Sequence, residues 1–400
     1  MNKNNVRIVN PSDRAELKAL IRSVGASADG AEYMLKKGRF YLLMADNLSL
    51  PALHVLKQEI LSRGGEAAQH KQALIGGLEN GSTLIMGTAR QLSELCVKLK
   101  MQQFALPDLA RQIEAVLTNA ERKEFDVPYR GGSLTLGKRT EIMGILNVTP
   151  DSFSDGGSYI NAETAVAHAE KMREAGALII DVGGESTRPG FKPVSSEEEL
   201  ARIIPVISAL AARNILVSVD TYKSSVAEKA LAAGAVMLND IGGLQRDAGM
   251  AKLAAESGAP VVVMYHPESI PSDEADIMAG MSHFFYKSME IGMSAGMKEQ
   301  QFILDPGIGF MKTQRQNLQA IRRLNELRGF GRPVLLAPSR KSFIGNILSA
   351  ATDGRFEGTA AAAVLGAAGG AHIVRVHDVG EIIRVLLVAD AILSVGGNHE

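Results

Sequence analysis

Ten polar side chains could do chemistry, and each sits at or just past the end of a short apolar run. They are Asn147, Asp181, Asp220, Asn239, Asp240, Asp305, Ser339, Arg340, Arg375 and His377. Ionised carboxylates only accept hydrogen bonds, whereas asparagine both donates and accepts. Asp220, Asn239 and Asp305 on neighbouring run ends would therefore suit the edge of a flat heterocycle with several ring nitrogens, such as an aminopyrimidinone. Arg375 and His377 are of another kind. Cationic and N–H donors suit a departing phosphate-like anion, often with a metal ion. The plain alternative is capping, because Asp, Asn and Ser favour helix N-termini. Capping accounts for any one of the ten, but it calls for neither arginine nor histidine.

The runs that must carry these residues are Ile142–Asn147, Leu178–Gly183, Leu216–Asp220, Val236–Asp240, Val261–Met264, Phe302–Asp305, Val334–Ala337 and Ile373–His377. They are apolar without alternation, which suits strands buried on both faces of a parallel sheet. Helical stretches fill the gaps, among them Ala162–Glu174, Glu197–Ala212, Ser224–Ala233 and Thr313–Leu327. Eight strand–helix units predict an α/β protein of the (β/α)₈ type, the TIM barrel, which takes about 250 residues. An open doubly wound sheet is the alternative. A final helix after the eighth run, Val379–Leu393, favours the barrel. Barrel active sites lie at the C-terminal ends of the strands, where the ten side chains fall.

Before residue 125 the pattern differs. Arg39–Asp46 and Ser82–Gly87 read as short buried strands, and Pro51–Ser62, Gln91–Met101 and Leu106–Arg122 as helices. Residues 1–125 are thus expected to form a small extra α/β domain of unknown role, without a catalytic cluster. Residues 126–400 form the barrel. A hairpin, with Gly131-Gly132 at its turn between Pro128–Arg130 and Ser133–Leu136, introduces the barrel. The 43 basic and 44 acidic residues give a net charge of −1, which argues against nucleic acid as a partner. No run reaches the roughly 18 apolar residues of a membrane span, and the N-terminus lacks a signal-peptide pattern. One cysteine, Cys96, cannot form an intrachain disulfide. A cytoplasmic protein is expected. No zinc, phosphate-loop or Ser–His–Asp pattern occurs.

Two longer motifs follow the first two strands. They are Met143-Gly-Ile-Leu-Asn-Val-Thr-Pro-Asp-Ser-Phe-Ser-Asp-Gly-Gly157 and Ile180-Asp-Val-Gly-Gly-Glu-Ser-Thr-Arg-Pro-Gly190. With Val217-Ser-Val-Asp-Thr221, Leu238-Asn-Asp-Ile241, Leu304-Asp-Pro-Gly-Ile-Gly-Phe310, Ser339-Arg-Lys-Ser342 and Arg375-Val-His-Asp378, the segment from about residue 135 to 395 resembles the dihydropteroate synthases, a family of pterin-binding barrels. The resemblance implies a transferase of folate biosynthesis that joins 6-hydroxymethyl-7,8-dihydropterin diphosphate to p-aminobenzoate and releases diphosphate. It implies pterin contacts at Asp220, Asn239, Met264, Asp305, Lys312 and Arg340. The diphosphate would lie against Asn147, Arg188, Arg375 and His377, with Mg²⁺ at Asn147. Phe153, Thr187, Pro189, Lys341 and Ser342 would form the aminobenzoate pocket. Asp155, Arg188 and Lys341 would be the catalytic set, with residues 148–157 and 186–190 as mobile loops. A homodimer is expected by the same analogy.

One segment departs from the family pattern. After the fifth strand the family carries Met-His, and this chain reads Met264-Tyr-His-Pro267 followed by a different loop. Two rival readings remain. A methyltetrahydrofolate-dependent methyltransferase of the same barrel class would share the ring contacts but have no use for Ser339-Arg-Lys-Ser342 with Arg375 and His377. A non-catalytic pterin-binding protein predicts damage to the anion set, which is intact.

Overall fold

The structure, a computed structural model, describes residues 5–149, 158–185 and 194–395. The chain divides between Arg122 and Lys123 into two units, the first also taking in Gly329–Gly331 and Ser394–Glu400. In the first unit the order is α1 (Arg14–Ser23), α2 (Ala28–Gly38), β1 (Phe40–Ser49), α3 (Leu50–Leu61), β2 (Glu66–Gln69), β3 (Asn80–Thr88), α4 (Ala89–Leu99) and α5 (Leu106–Ala120). The strands form an antiparallel sheet in the order β1-β3-β2. Leu56, Ile60, Leu92, Leu95, Leu99, Leu109 and Ile113 of α3, α4 and α5 bury one core with Ile85 of β3 and buried Cys96. The two first helices and β2 escape the sequence reading. Strand β2, four residues long, is too short to show a period, whereas α1 carries Leu17, Leu20 and Ile21 at helical spacing and was legible in principle.

The second unit begins with a hairpin, β4 (Phe125–Tyr129) and β5 (Gly132–Leu136). Gly131, at φ +101, turns it through backbone space that glycine enters freely. Then come β6 (Glu141–Asn147), α6 (Ser158–Glu174), β7 (Ile179–Gly183), α7 (Ser196–Ala211), β8 (Val217–Asp220), α8 (Ser224–Ala232), β9 (Met237–Asp240), α9 (Ala248–Ser257), β10 (Val261–Met264), α10 (Ile277–Ser294), β11 (Phe302–Asp305), α11 (Gln314–Arg322), β12 (Leu335–Leu336), α12 (Ser342–Leu348), α13 (Phe356–Ala368), β13 (Ile373–Val376) and α14 (Val379–Ser394). The eight strands β6–β13 form one parallel sheet, ordered β11-β10-β9-β8-β7-β6-β13-β12. A parallel bridge from Leu304 to Val334 joins its two ends. The sheet is a closed (β/α)₈ barrel, as the alternating runs predict, and the open doubly wound sheet is excluded. The helix expected over Thr313–Leu327 is two elements: Arg323 leaves helical dihedrals (φ −106, ψ 18), and 3₁₀ turns follow over Leu324–Phe330. There the Arg323 side chain reaches across to Asp276 at 2.6 Å.

Strand side chains alternate between faces, so each barrel strand sends every second residue inward. The bottom inward layer is apolar. Met143, Ile179, Met237, Val262, Ile303, Leu335 and Ile373 pack there against Phe125, Val127, Leu134 and Leu136 of the hairpin. The hairpin is therefore the floor of the barrel. Two residues further along the same strands the inward positions are Ile145, Asp181, Asn239, Met264, Asp305, Ala337 and Arg375. The core turns from hydrocarbon to polar within one step of the pleat.

Candidate active site

Four strand ends meet in one hydrogen-bonded cluster. Arg375 of β13 donates from Nε to Asp181 Oδ2 of β7 at 2.6 Å and from a terminal nitrogen to Asp220 Oδ2 of β8 at 2.7 Å. Asn239 of β9 donates to the same Asp181 oxygen at 2.8 Å. Asp181 is fully buried and Arg375 only 12% exposed, so the pair is strongly desolvated, which makes the attraction directional and costly to break. Register explains the meeting, because Gly183, Asp220 and Asn239 are successive Cα partners across β7, β8 and β9. Asp181 Oδ1, Asp220 Oδ1 and Ser218 Oγ are buried and have no hydrogen-bond partner among the described residues. The two carboxylate oxygens are acceptors, and the Ser218 hydroxyl can donate or accept.

Burial pushes the Asp220 carboxyl up to about 7, against the pull of Arg375 and with help from Asp181. Asp305, Cα partner of Met264 across β10 and β11, is raised by burial too, while a hydrogen bond from the Gly307 backbone N–H (2.7 Å) opposes the rise. The loop after β11 then wraps its own lysine. Lys312 Nζ donates to the carbonyls of Gly307 at 2.7 Å, Phe310 at 3.0 Å and Tyr265 at 3.4 Å. It lies 4.6 Å from the centre of the Tyr265 ring. Burial lowers Lys312 to about 7, with nearby Asp305 resisting. The loop can close this way because Gly307 and Gly309 hold φ +63 and +85.

Past the next two strands, β12 and β13, Ser339 Oγ and His377 Nδ1 are 2.9 Å apart, and the His377 backbone N–H donates to the same hydroxyl at 3.2 Å. Burial lowers His377 to about 3, aided by Arg375 and Arg340, so the imidazole is neutral at neutral pH. With the serine hydroxyl donating to Nδ1, the remaining proton sits on Nε2, assigned here from the hydrogen-bond pattern. His377 is then an uncharged N–H donor.

The structure thus gathers Asp220, Asn239, Asp305, Met264, Lys312, Arg375 and His377 around one mouth. Asn147 closes β6 half-buried, as Cα partner of Gly183. Lys341 caps the start of α12 and lies 4.1 Å from the centre of the Phe310 ring, and Ser342 begins that helix. Arg340 pairs within the rim. Its guanidinium pairs with Asp378, at 3.0 Å through Nε, and its backbone at φ +54 is held by Thr359 Oγ1 at 3.0 Å. That pairing ties the loop after β12 to the loop after β13. The left-handed backbone turns the side chain onto the Asp378 side of the loop. Asp240 is a loop cap, accepting from the N–H groups of Gly242 and Leu244 at 2.7 Å each. Phe153, Asp155, Thr187, Arg188 and Pro189 lie outside the described residues. Sequence reasoning marked Asp181 only as one of ten polar strand-end side chains and gave Phe310 no role. Inward parity on β7, two residues from the apolar floor residue Ile179, would have placed Asp181 inside the barrel. Phe310 stands inside a quoted motif, but no spacing signal marks it. At the departing segment, Tyr265 is buried, its ring edge-on to Phe284 at 5.3 Å, and His266 faces Arg246 at 2.9 Å.

A family model described as pterin binding enzyme matches residues 143–377. The dihydropteroate synthase of Bacillus subtilis (strain 168) is 48% identical over 269 residues, 67% of this chain and 93% of its own length. The chain belongs to the dihydropteroate synthase family. A solved dihydropteroate synthase from Clostridium difficile, in the presence of pteroic acid, shares the fold at TM-score 0.63 and 50% identity, covering 64% of this chain and 98% of itself. A probable bifunctional folylpolyglutamate synthase/dihydropteroate synthase of Halobacterium salinarum is 40% identical over 348 residues, 84% of this chain and 41% of its own length. Membership in this transferase family bears out the resemblance carried by the strand-end motifs and favours the synthase over the methyltransferase reading.

Proposed function

We propose that the barrel catalyses attack of the p-aminobenzoate amine on the methylene of 6-hydroxymethyl-7,8-dihydropterin diphosphate. The C–N bond forms, the C–O bond breaks, and diphosphate leaves with the electron pair. The nitrogen then gives up a proton. The observation that carries this reading is the Asp181–Arg375–Asp220–Asn239 cluster, which brings acceptors, an amide and a cation from four strands to one mouth. Asp220, Asn239 and Asp305 present acceptors and one donor to the edge of the ring. Lys312 would donate to it from the rim by releasing one of its three backbone carbonyls, the long 3.4 Å contact to Tyr265 first, and Met264 offers a soft apolar contact.

The leaving anion would be held by Arg375, by the Nε2–H of His377, and by Arg188. A neutral histidine donates without titrating near neutral pH, so this hold is constant across the working range. Electron donation from the ring stabilises a methylene cation, and Asp155 would support that charge. Catalysis is then largely electrostatic. The aminobenzoate would lie by Lys341, Ser342 and Phe310, with Phe153, Thr187 and Pro189 completing the pocket.

Mg²⁺ fits the donor chemistry at Asn147, whose half-buried carboxamide oxygen suits a hard cation. Among the described residues no three His, Cys, Asp or Glu side chains come together as a metal cage, so diphosphate and water would supply the other ligands. When bound, the ion would neutralise charge on the leaving group. A single cysteine and the biosynthetic activity support a cytoplasmic location, and family analogy supports a homodimer. Among the described residues no helix is long and apolar enough to cross a membrane.

The test is turnover by the purified chain with both substrates and Mg²⁺, read as diphosphate release. Product should form without any corrinoid protein, and a chelator should abolish it. Asp155→Ala should lower kcat at least tenfold while the pterin Kd stays within a few-fold. Pterin binding without turnover would leave a binding protein instead.

A further inference from the structure

A side chain outside the ring-binding cluster holds together the roots of one of the connections the reaction uses. Lys223 stands three residues beyond Asp220, at the N-terminal boundary of α8, where its side chain makes no capping bond. Its Nζ donates to Glu185 Oε2 at 2.7 Å, to Glu199 Oε2 at 2.7 Å and to the Val194 carbonyl at 2.8 Å. Three donors are all an ammonium has. Glu185 is the last described residue before positions 186–193, and Val194 the first after them. The Val194 N–H returns to Glu185 Oε2 at 3.3 Å, and the Tyr222 hydroxyl donates to Glu185 Oε1 at 3.4 Å. From α7, Arg202 donates to the Gly184 carbonyl at 2.7 Å. The knot is nearly dry: Glu199 is 1% exposed and Lys223 16%. A buried ammonium shared by two carboxylates fixes all three groups, because any departure strands a charge.

We propose that Lys223 is a positioning residue for the reaction. It ties together Glu185 and Val194, the two described residues that flank positions 186–193, and anchors both to Glu199 of α7. This rests on the proposed function, in which Thr187, Arg188 and Pro189 meet the arylamine and the diphosphate. Lys223 donates to none of the ring-binding side chains. Its loss should therefore separate the acceptor side of the reaction from binding of the pterin ring, whereas a stabilising role alone would lower the melting temperature and leave the kinetics of the folded enzyme unchanged.

The experiment compares the full chain with Lys223→Met, Lys223→Arg and Glu185→Gln. It reads kcat/KM for p-aminobenzoate, the calorimetric Kd of the pterin alcohol lacking diphosphate, and Tm. Lys223→Met should lower kcat/KM at least tenfold with the pterin Kd within threefold of wild type. Lys223→Arg, still a multiple donor, should recover most of that loss, and Glu185→Gln should fall between. The inference is overturned by a kcat/KM for Lys223→Met within twofold of wild type. It is equally overturned by a parallel loss of pterin affinity and acceptor kinetics. Should Lys223→Met fail to fold, Glu185→Gln decides, since it keeps the Lys223–Glu199 pair, and unchanged kinetics there would overturn the proposal. Absence of product from the wild-type chain refutes the proposed function itself and takes this inference with it.

Discussion

At the scale of single residues, two buried groups titrate where the enzyme works. Asp220 is held near 7 by burial, far above the usual carboxylate value of about 3.9. Between those values the folded chain keeps a proton that the unfolded chain has lost. Stability therefore falls as pH rises from about 4 to about 7 and levels off above, a term on the order of 4 kcal/mol before other groups are counted. Asp220→Asn cannot titrate and should lack this slope. Denaturant unfolding of both proteins at pH 4.5 and 7.5 measures the difference, and parallel pH profiles would reject the burial account. Lys312, lowered to about 7, contributes in the next window. Above 7 the unfolded chain binds the extra proton, so its term rises with pH. The residue types at these positions were legible from sequence, because carboxylates, amides and cations at run ends imply a polar ligand. The link from Arg375 to Asp181 was not, since 194 positions separate them.

At the scale of elements, the loop after β11 shows how backbone geometry builds a binding group. A Cβ on Gly307 would stand 2.2 Å from the Tyr265 carbonyl oxygen, at a φ of +63 that favours glycine. The same residue gives its N–H to Asp305 and its carbonyl to Lys312. Gly307→Ala should therefore weaken pterin binding tenfold or more and lower Tm, by a strain of at least about 1–2 kcal/mol. Calorimetry and thermal unfolding check both, and an unchanged pterin Kd would show that the loop is not read by the ring. Strand positions were readable because parallel barrel strands are buried on both faces and spell continuous apolar runs. Strand β2 and the break at Arg323 were not, because four residues are too few to show a period and the break is set by contacts.

At the scale of the molecule, the family's activity resides in the barrel. The Clostridium difficile structure is covered over 98% of its length by 64% of this chain. A truncated protein beginning at Lys123 should therefore keep pterin affinity and kcat within about threefold of the full chain, as active sites of this fold are built from the strand ends and their loops. Loss of turnover in a folded truncation would give the first unit a part in catalysis. The Halobacterium salinarum relative aligns over 348 residues, more than the 271 positions from Lys123 to Leu393, so the likeness extends into the first unit.

The sequence by itself determined the barrel, its strands, its family and the kinds of side chain at its mouth. These follow from local patterns: continuous apolar runs, glycine-rich motifs, and polar residues where runs stop. The tertiary structure decided which of those side chains touch. It put Asp181 at the centre of the cluster, turned Arg340 onto Asp378, and made Lys223 the tie between Glu185, Val194 and Glu199. Such pairings depend on strand register and closure of the sheet, which bring together residues whose separation along the chain carries no signal of their nearness.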